Sequence, residues 1–191
     1  MSKGHGPEAI QEALAAGVSD FGENYAQELE TKAEYFTSAS ALSGLRPRWQ
    51  YQGRLQTRKI RDILKASSSL LSVSRVVELE EIDKRARVPV ECLIEVNLAE
   101  EPQKGGVLPP DILRLISAAM NKTLVYVAGL MAVPPQGQDP TPWFRKLREI
   151  RDLLELRELS MGMSSDFESA IGHGATMVRI GTAIFGERRA R

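Results

Sequence analysis

Apolar positions along this chain fall into short runs separated by longer amphipathic stretches. Residues 7–16 read as a helix, with Pro7 in its first turn and Gly17 as its stop. Residues 18–23 read as a strand, 25–36 as a helix, and 38–47 as a linker rich in Ser, Ala and Gly. A strand at 49–53 precedes a basic amphipathic helix at 57–66. A strand at 70–73 is followed by a helix at 75–86 with opposite charges at helical spacing. The second half repeats the theme, with strands at 91–97, 124–132, 159–162 and 176–182. Helices at 110–120, 142–156 and 166–173 lie between them.

Strands alternating with helices call for a parallel sheet covered by helices. With this many units, a (β/α)8 barrel competes with an open doubly wound sheet. No Gly-x-Gly-x-x-Gly follows an early strand, which weakens the dinucleotide-binding alternative. Only Met1, Ser2 and Lys3 stand before the first helical signals, so the first barrel strand is expected to be shortened. Residues 1–191 are expected to form one domain.

Composition narrows the function. Twenty-five basic and 25 acidic side chains give a formal net charge of zero, which argues against nucleic acid or a membrane surface as the main partner. Cys92 is the single cysteine, so no intrachain disulfide forms; it sits in an apolar run and is expected to pack as a small hydrophobe. The first residues lack the apolar core of a signal peptide, and the most apolar stretch, 124–135, is too short to span a bilayer. The expected location is the cytoplasm.

In a barrel, chemistry collects where strands end and βα loops begin. Those positions hold no convincing metal cluster and few acid/base pairs, but they are rich in groups that hold an anion. Ser164 follows a strand and opens a helix; Gly181 and Thr182 follow the last strand. A hydroxyl and free N–H groups at such positions can bind a phosphate, although helix capping uses the same groups. Arg179 lies inside an apolar strand and needs a partner, either a carboxylate such as Glu95 or Glu23, or a ligand. Lys3, taken alone, reads as a solvated terminal charge; at the end of a barrel strand it would instead be a desolvated amine able to condense with an aldehyde.

Several blocks resemble one family. They are Asp20-Phe21-Gly22-Glu23-Asn24-Tyr25 with Gln27-Glu28-Leu29, Gly53-Arg54-Leu55-Gln56 with Lys59, and Gly129-Leu130-Met131-Ala132. The longest runs from Leu159 through Met161-Gly162-Met163-Ser164-Ser165-Asp166 to Arg179-Ile180-Gly181-Thr182 and Gly186. Together they are similar to the pyridoxal phosphate (PLP) homeostasis proteins. The resemblance implies a (β/α)8 barrel of the alanine racemase N-terminal type, with pyridoxal 5'-phosphate as cofactor. It implies that Lys3 is the Schiff-base lysine and that Ser164, Gly181 and Thr182 hold the phosphate. Arg179 would face the pyridine nitrogen, and Asn24 and Met131 would line the pocket. The chain departs from the family in lacking the helix and full strand before the lysine, and in reading Trp49-Gln50-Tyr51-Gln52-Gly53 where the family has Trp-His-Phe-Ile-Gly.

The expected function is therefore non-enzymatic: a monomeric protein that holds PLP as a Schiff base and buffers it or delivers it to PLP-requiring apo-enzymes. One alternative is a PLP-dependent amino-acid racemase or lyase with Tyr51 as its second base. Another is a PLP-free barrel that binds a phosphorylated metabolite through Ser164, Gly181 and Thr182.

Overall fold

A computed structural model describes residues 1–43 and 46–187. Seven strands pair in sequence order, and every pairing is parallel. They are β1 (Asp20–Glu23), β2 (Arg48–Tyr51), β3 (Ser69–Val73), β4 (Val90–Glu95), β5 (Val125–Met131), β6 (Glu158–Met163) and β7 (Met177–Arg179). The helices are α1 (Pro7–Ala15), α2 (Ala26–Ser43), α3 (Thr57–Ala66), α4 (Val76–Arg85), α5 (Ile112–Met120), α6 (Thr141–Leu153), α7 (Phe167–Gly172) and α8 (Thr182–Phe185). A 3-10 turn, Pro109–Asp111, leads into α5. The result is a nearly closed barrel with an outer ring of helices. Met1 and Ser2 stand in the seam as a stub of the remaining strand. The amine of Met1 donates to Ile180 O (2.5 Å) beyond β7, and Ser2 N–H donates to Gly22 O (3.2 Å) on β1.

Alternating strand positions divide the core. Leu71, Leu93, Ala128 and Met131 pack inside the barrel, whereas Leu70, Cys92, Ile94 and Leu130 pack outward with Ile60, Ile63, Leu79 and Leu115 of the helices. α3 shows how sequence places a helix. Ile60 and Ile63, three apart, are its buried face, while Arg58, Lys59, Arg61 and Lys65 remain exposed. Where β5 meets β6, a side chain at Gly129 would overlap the backbone of Glu158, so only glycine fits.

Cys92 is wholly buried on β4, and burial pushes its thiol up to about 12. The native protein is expected to leave a disulfide reagent unreacted at about pH 8, and to release one equivalent only on unfolding. A fast equivalent under native conditions would contradict this packing.

Two elements differ most from expectation. The linker expected at 38–47 is helical through Ser43, residues 44–45 lying outside the described part. The last strand, expected to run to Thr182, stops at Arg179, and Thr182 instead opens α8.

Candidate functional site

The C-terminal strand ends surround a cavity of about 480 Å3. All seven positions singled out in the sequence line it: Lys3, Asn24, Met131, Ser164, Arg179, Gly181 and Thr182. A cavity of about 490 Å3 lies at the opposite strand ends, among Asp20, Arg48, Glu91 and Glu158. These four charges are already paired: Arg48 with Asp20, and Glu91 and Glu158 with Arg157. That face reads as barrel closure, and the C-terminal face as the site.

One end of the site is built from N–H and O–H groups. β6 runs into the loop before α7, and Gly162 takes φ +91° where a side chain would crowd Ala170. This turn presents Ser164 toward the end of β7. Its hydroxyl oxygen accepts long hydrogen bonds from Gly181 N–H (3.3 Å) and Ala183 N–H (3.4 Å). Three donors thus converge at the start of α8, weakly engaged with one another, and an anion could draw all of them.

Arg179 forms the wall behind them and is 7% exposed. Its Nη1 donates to Ser160 O (2.9 Å) and Ser160 Oγ (2.9 Å), and its Nη2 to Ala132 O (2.8 Å). The expected carboxylate partners are not bonded to it: Glu23 pairs with Lys32 instead, and Glu95 acts on Arg179 only through its field. Burial pulls the Arg179 pKa down to about 10, which leaves it a cation at neutral pH. Glu95 also lines the cavity, and burial raises its carboxyl pKa against the pull of Arg179. Asn24 Oδ1 is buried at the site with no hydrogen-bond partner among the described residues.

Lys3 does not end a strand. It occupies the second position of a turn closed by His5 N–H donating to Ser2 O (3.1 Å), with Gly4 at φ +78°. Positive φ at the third position makes this a type II turn, which favours glycine there. The Lys3 side chain is half-buried at the cavity, and its Nζ stands 4.9 Å from the centre of the Tyr25 ring.

Sequence reasoning did not place Glu95, Gln52 or His5 in the site, though all three line the cavity. Glu95 is weighed there only as an ion-pair partner of Arg179, because the strand, expected to end at Asn97, ends two residues sooner. Asn97 pins its own loop, exchanging hydrogen bonds with the Glu101 backbone (2.9 and 3.1 Å). Tyr51, the candidate second base, does not line the cavity; its hydroxyl lies under Gly53, 3.5 Å from Arg54 O. Gln52, replacing an apolar residue of the family pattern, turns its amide toward the Met1 sulfur in the seam.

Comparison with known proteins identifies the family. The family described as "Alanine racemase, N-terminal domain" matches residues 1–189. The pyridoxal phosphate homeostasis protein of Aquifex aeolicus is 43% identical over 195 residues, covering 96% of this chain and 83% of that protein. Its Pseudomonas aeruginosa counterpart is 36% identical over 197 residues, covering 98% and 83%. The solved structure of PipY of Synechococcus elongatus with PLP bound superposes with a TM-score of 0.87 at 32% identity, covering 97% of this chain and 90% of that one. Alanine racemase of Corynebacterium glutamicum, at 16% identity and a TM-score of 0.70, shares the fold over 98% of this chain and 53% of its own. The chain belongs to the alanine racemase N-terminal domain family and, within it, to the pyridoxal phosphate homeostasis proteins.

Proposed function

We propose that this barrel binds PLP at its C-terminal mouth and serves PLP homeostasis, keeping the cofactor for buffering or delivery. The observation that carries the reading is the convergence on one cavity of a primary amine, Lys3, with the Ser164, Gly181 and Thr182 groups at the ends of β6 and β7. When bound, PLP supplies a phosphate dianion, a pyridine ring and an aldehyde that condenses reversibly with a primary amine. The residues fit that group. Ser164, Gly181 and Thr182 hold the anion, Met131 gives an apolar wall, and Asn24 offers an acceptor without a partner. Lys3 is the nucleophile.

Arg179 favours retention over turnover. Were the pyridine nitrogen to face Arg179, as the family resemblance implies, this buried cation would oppose protonation there by like-charge repulsion and so weaken the ring as an electron sink. Tyr51, outside the cavity, supplies no second base. We read residues 1–191 as one PLP-binding unit, acting as a monomer in the cytoplasm, with PLP-requiring apo-enzymes as recipients. No helix among the described residues is long and apolar enough to cross a membrane.

The test is the absorbance spectrum of purified protein with PLP, before and after borohydride, followed by peptide mapping. A reduced adduct on Lys3 is expected. Phosphate binding without any adduct would replace this reading with a phosphometabolite-binding barrel. Rapid exchange of amino-acid α-hydrogens with solvent would replace it with an enzyme.

A further inference from the structure

Behind the Lys3 turn lies a buried charged cluster. Lys32 of α2 is 4% exposed, and Glu23 at the end of β1 is wholly buried. The Lys32 ammonium donates to Glu23 Oε1 (2.5 Å), to Glu28 Oε1 (2.8 Å) and to the carbonyl of Ser2 (2.7 Å). The Ser2 hydroxyl donates to the same Glu23 oxygen (2.6 Å), and Gly4 N–H donates to the same Glu28 oxygen (2.6 Å). The residues immediately before and after Lys3 are thus each fastened to one of two carboxylates that share a single ammonium. Lys3 itself takes no part and faces the cavity.

Packing alone does not account for the cluster. Apolar side chains of similar volume usually fill such a space at no loss of stability, because buried charges must be desolvated. Here Glu23 Oε2 is left with no partner among the described residues, and burial raises the Glu23 carboxyl pKa despite the ammonium against it. What the cluster provides is position. Apart from it, the turn is held by backbone bonds of 3.1 and 3.2 Å, from His5 to Ser2 and from Ser2 to Gly22. The cluster's bonds to Ser2 and Gly4, at 2.6–2.7 Å, are shorter and charge-assisted.

We propose that Glu23, Lys32 and Glu28 form a clasp that positions Lys3, fixing the Ser2–His5 turn so that the Lys3 amine stays within reach of an aldehyde held in the cavity. These are positioning residues and do not touch the ligand. The inference rests on the PLP reading above.

The test uses the whole chain and two probes, PLP and pyridoxine 5'-phosphate, which keeps the phosphate and ring but has an alcohol in place of the aldehyde. Wild type is measured first and should bind PLP more tightly. Equal affinities with no adduct on Lys3 would overturn the PLP reading, and the clasp with it. Given a wild-type preference, Lys32→Met and Glu28→Ala should cut PLP affinity by about tenfold or more, since small misplacements of a reacting group are that costly. Pyridoxine phosphate affinity should not change. Glu28→Gln keeps an oxygen acceptor for Gly4 N–H and should restore the wild-type ratio. Without ligand, hydrogen exchange at the Gly4 amide should quicken in Glu28→Ala and not in Glu28→Gln. If Lys32→Met does not fold, the two Glu28 variants decide. A wild-type ratio of the two affinities in Glu28→Ala would overturn the clasp.

Discussion

The Lys3→Ala variant should lose the borohydride-trapped adduct completely and bind PLP about 100-fold more weakly, while its affinity for pyridoxine 5'-phosphate stays at the wild-type value. The size follows from two anchors acting on one small molecule. On the proposed reading Ser164, Gly181 and Thr182 capture the phosphate, and the Lys3 amine then meets the aldehyde as an intramolecular neighbour at high effective concentration. Removing the amine deletes the second anchor and leaves the first intact. Stability should hardly move, because the side chain is half-exposed and its ring contact with Tyr25 is worth only about 0.5–1 kcal/mol. Fluorescence titration with both ligands and a thermal melt supply the readings. An adduct surviving in Lys3→Ala would move the chemistry to another amine. Lys104 would be the first to map, because its Nζ donates to the carbonyl of Val133 on the cavity wall (3.3 Å).

How much of this was legible in the sequence depended on whether a signal was local. The β/α alternation is local, and the strands and most helices fell where hydrophobic period placed them. α3 matched at both ends because its apolar and basic faces are sharply separated. The small-residue tail of α2 reads as a linker, yet Ala is the best helix former, and a run of Ala and Ser extends a helix as readily as it ends one. α8 went unseen because four residues are too few to show a period, and Ala183 and Ile184 continue the apolar run of β7. The anion-binding end could be guessed from strand-end chemistry, whereas Lys3 was raised above an ordinary surface lysine only by family resemblance. Lys32 was invisible for a different reason. With Glu28 four residues before it, it reads as a surface i,i+4 pair, and only the approach of Ser2 and Glu23 from elsewhere buries it.

The largest stability change is expected at Arg179. Methionine there keeps an unbranched side chain and an apolar fit while removing every donor. The carbonyl of Ser160 retains the hydrogen bond from Ala132 N–H (3.1 Å), but the Ala132 carbonyl and the Ser160 hydroxyl lose the charged donors that the structure gives them. Hydrogen bonds to charged groups contribute about 1.5–3 kcal/mol each, and relief from burying the cation offsets part of their loss, so a net cost of about 3 kcal/mol is expected. For a chain of this size that lowers the thermal midpoint by about 10 °C. Arg179→Lys should recover little of it. A lysine keeps the charge but carries a single donor group, whereas the guanidinium spans Ser160 on β6 and Ala132 just past β5 at once. The same fork ties the end of β7 to β6 and to the end of β5 at the cavity wall, so loosening it should also weaken pyridoxine phosphate binding, which Lys3→Ala does not. An Arg179→Met protein that melts with wild type and binds both ligands normally would show that the guanidinium neither ties the strand ends together nor shapes the site.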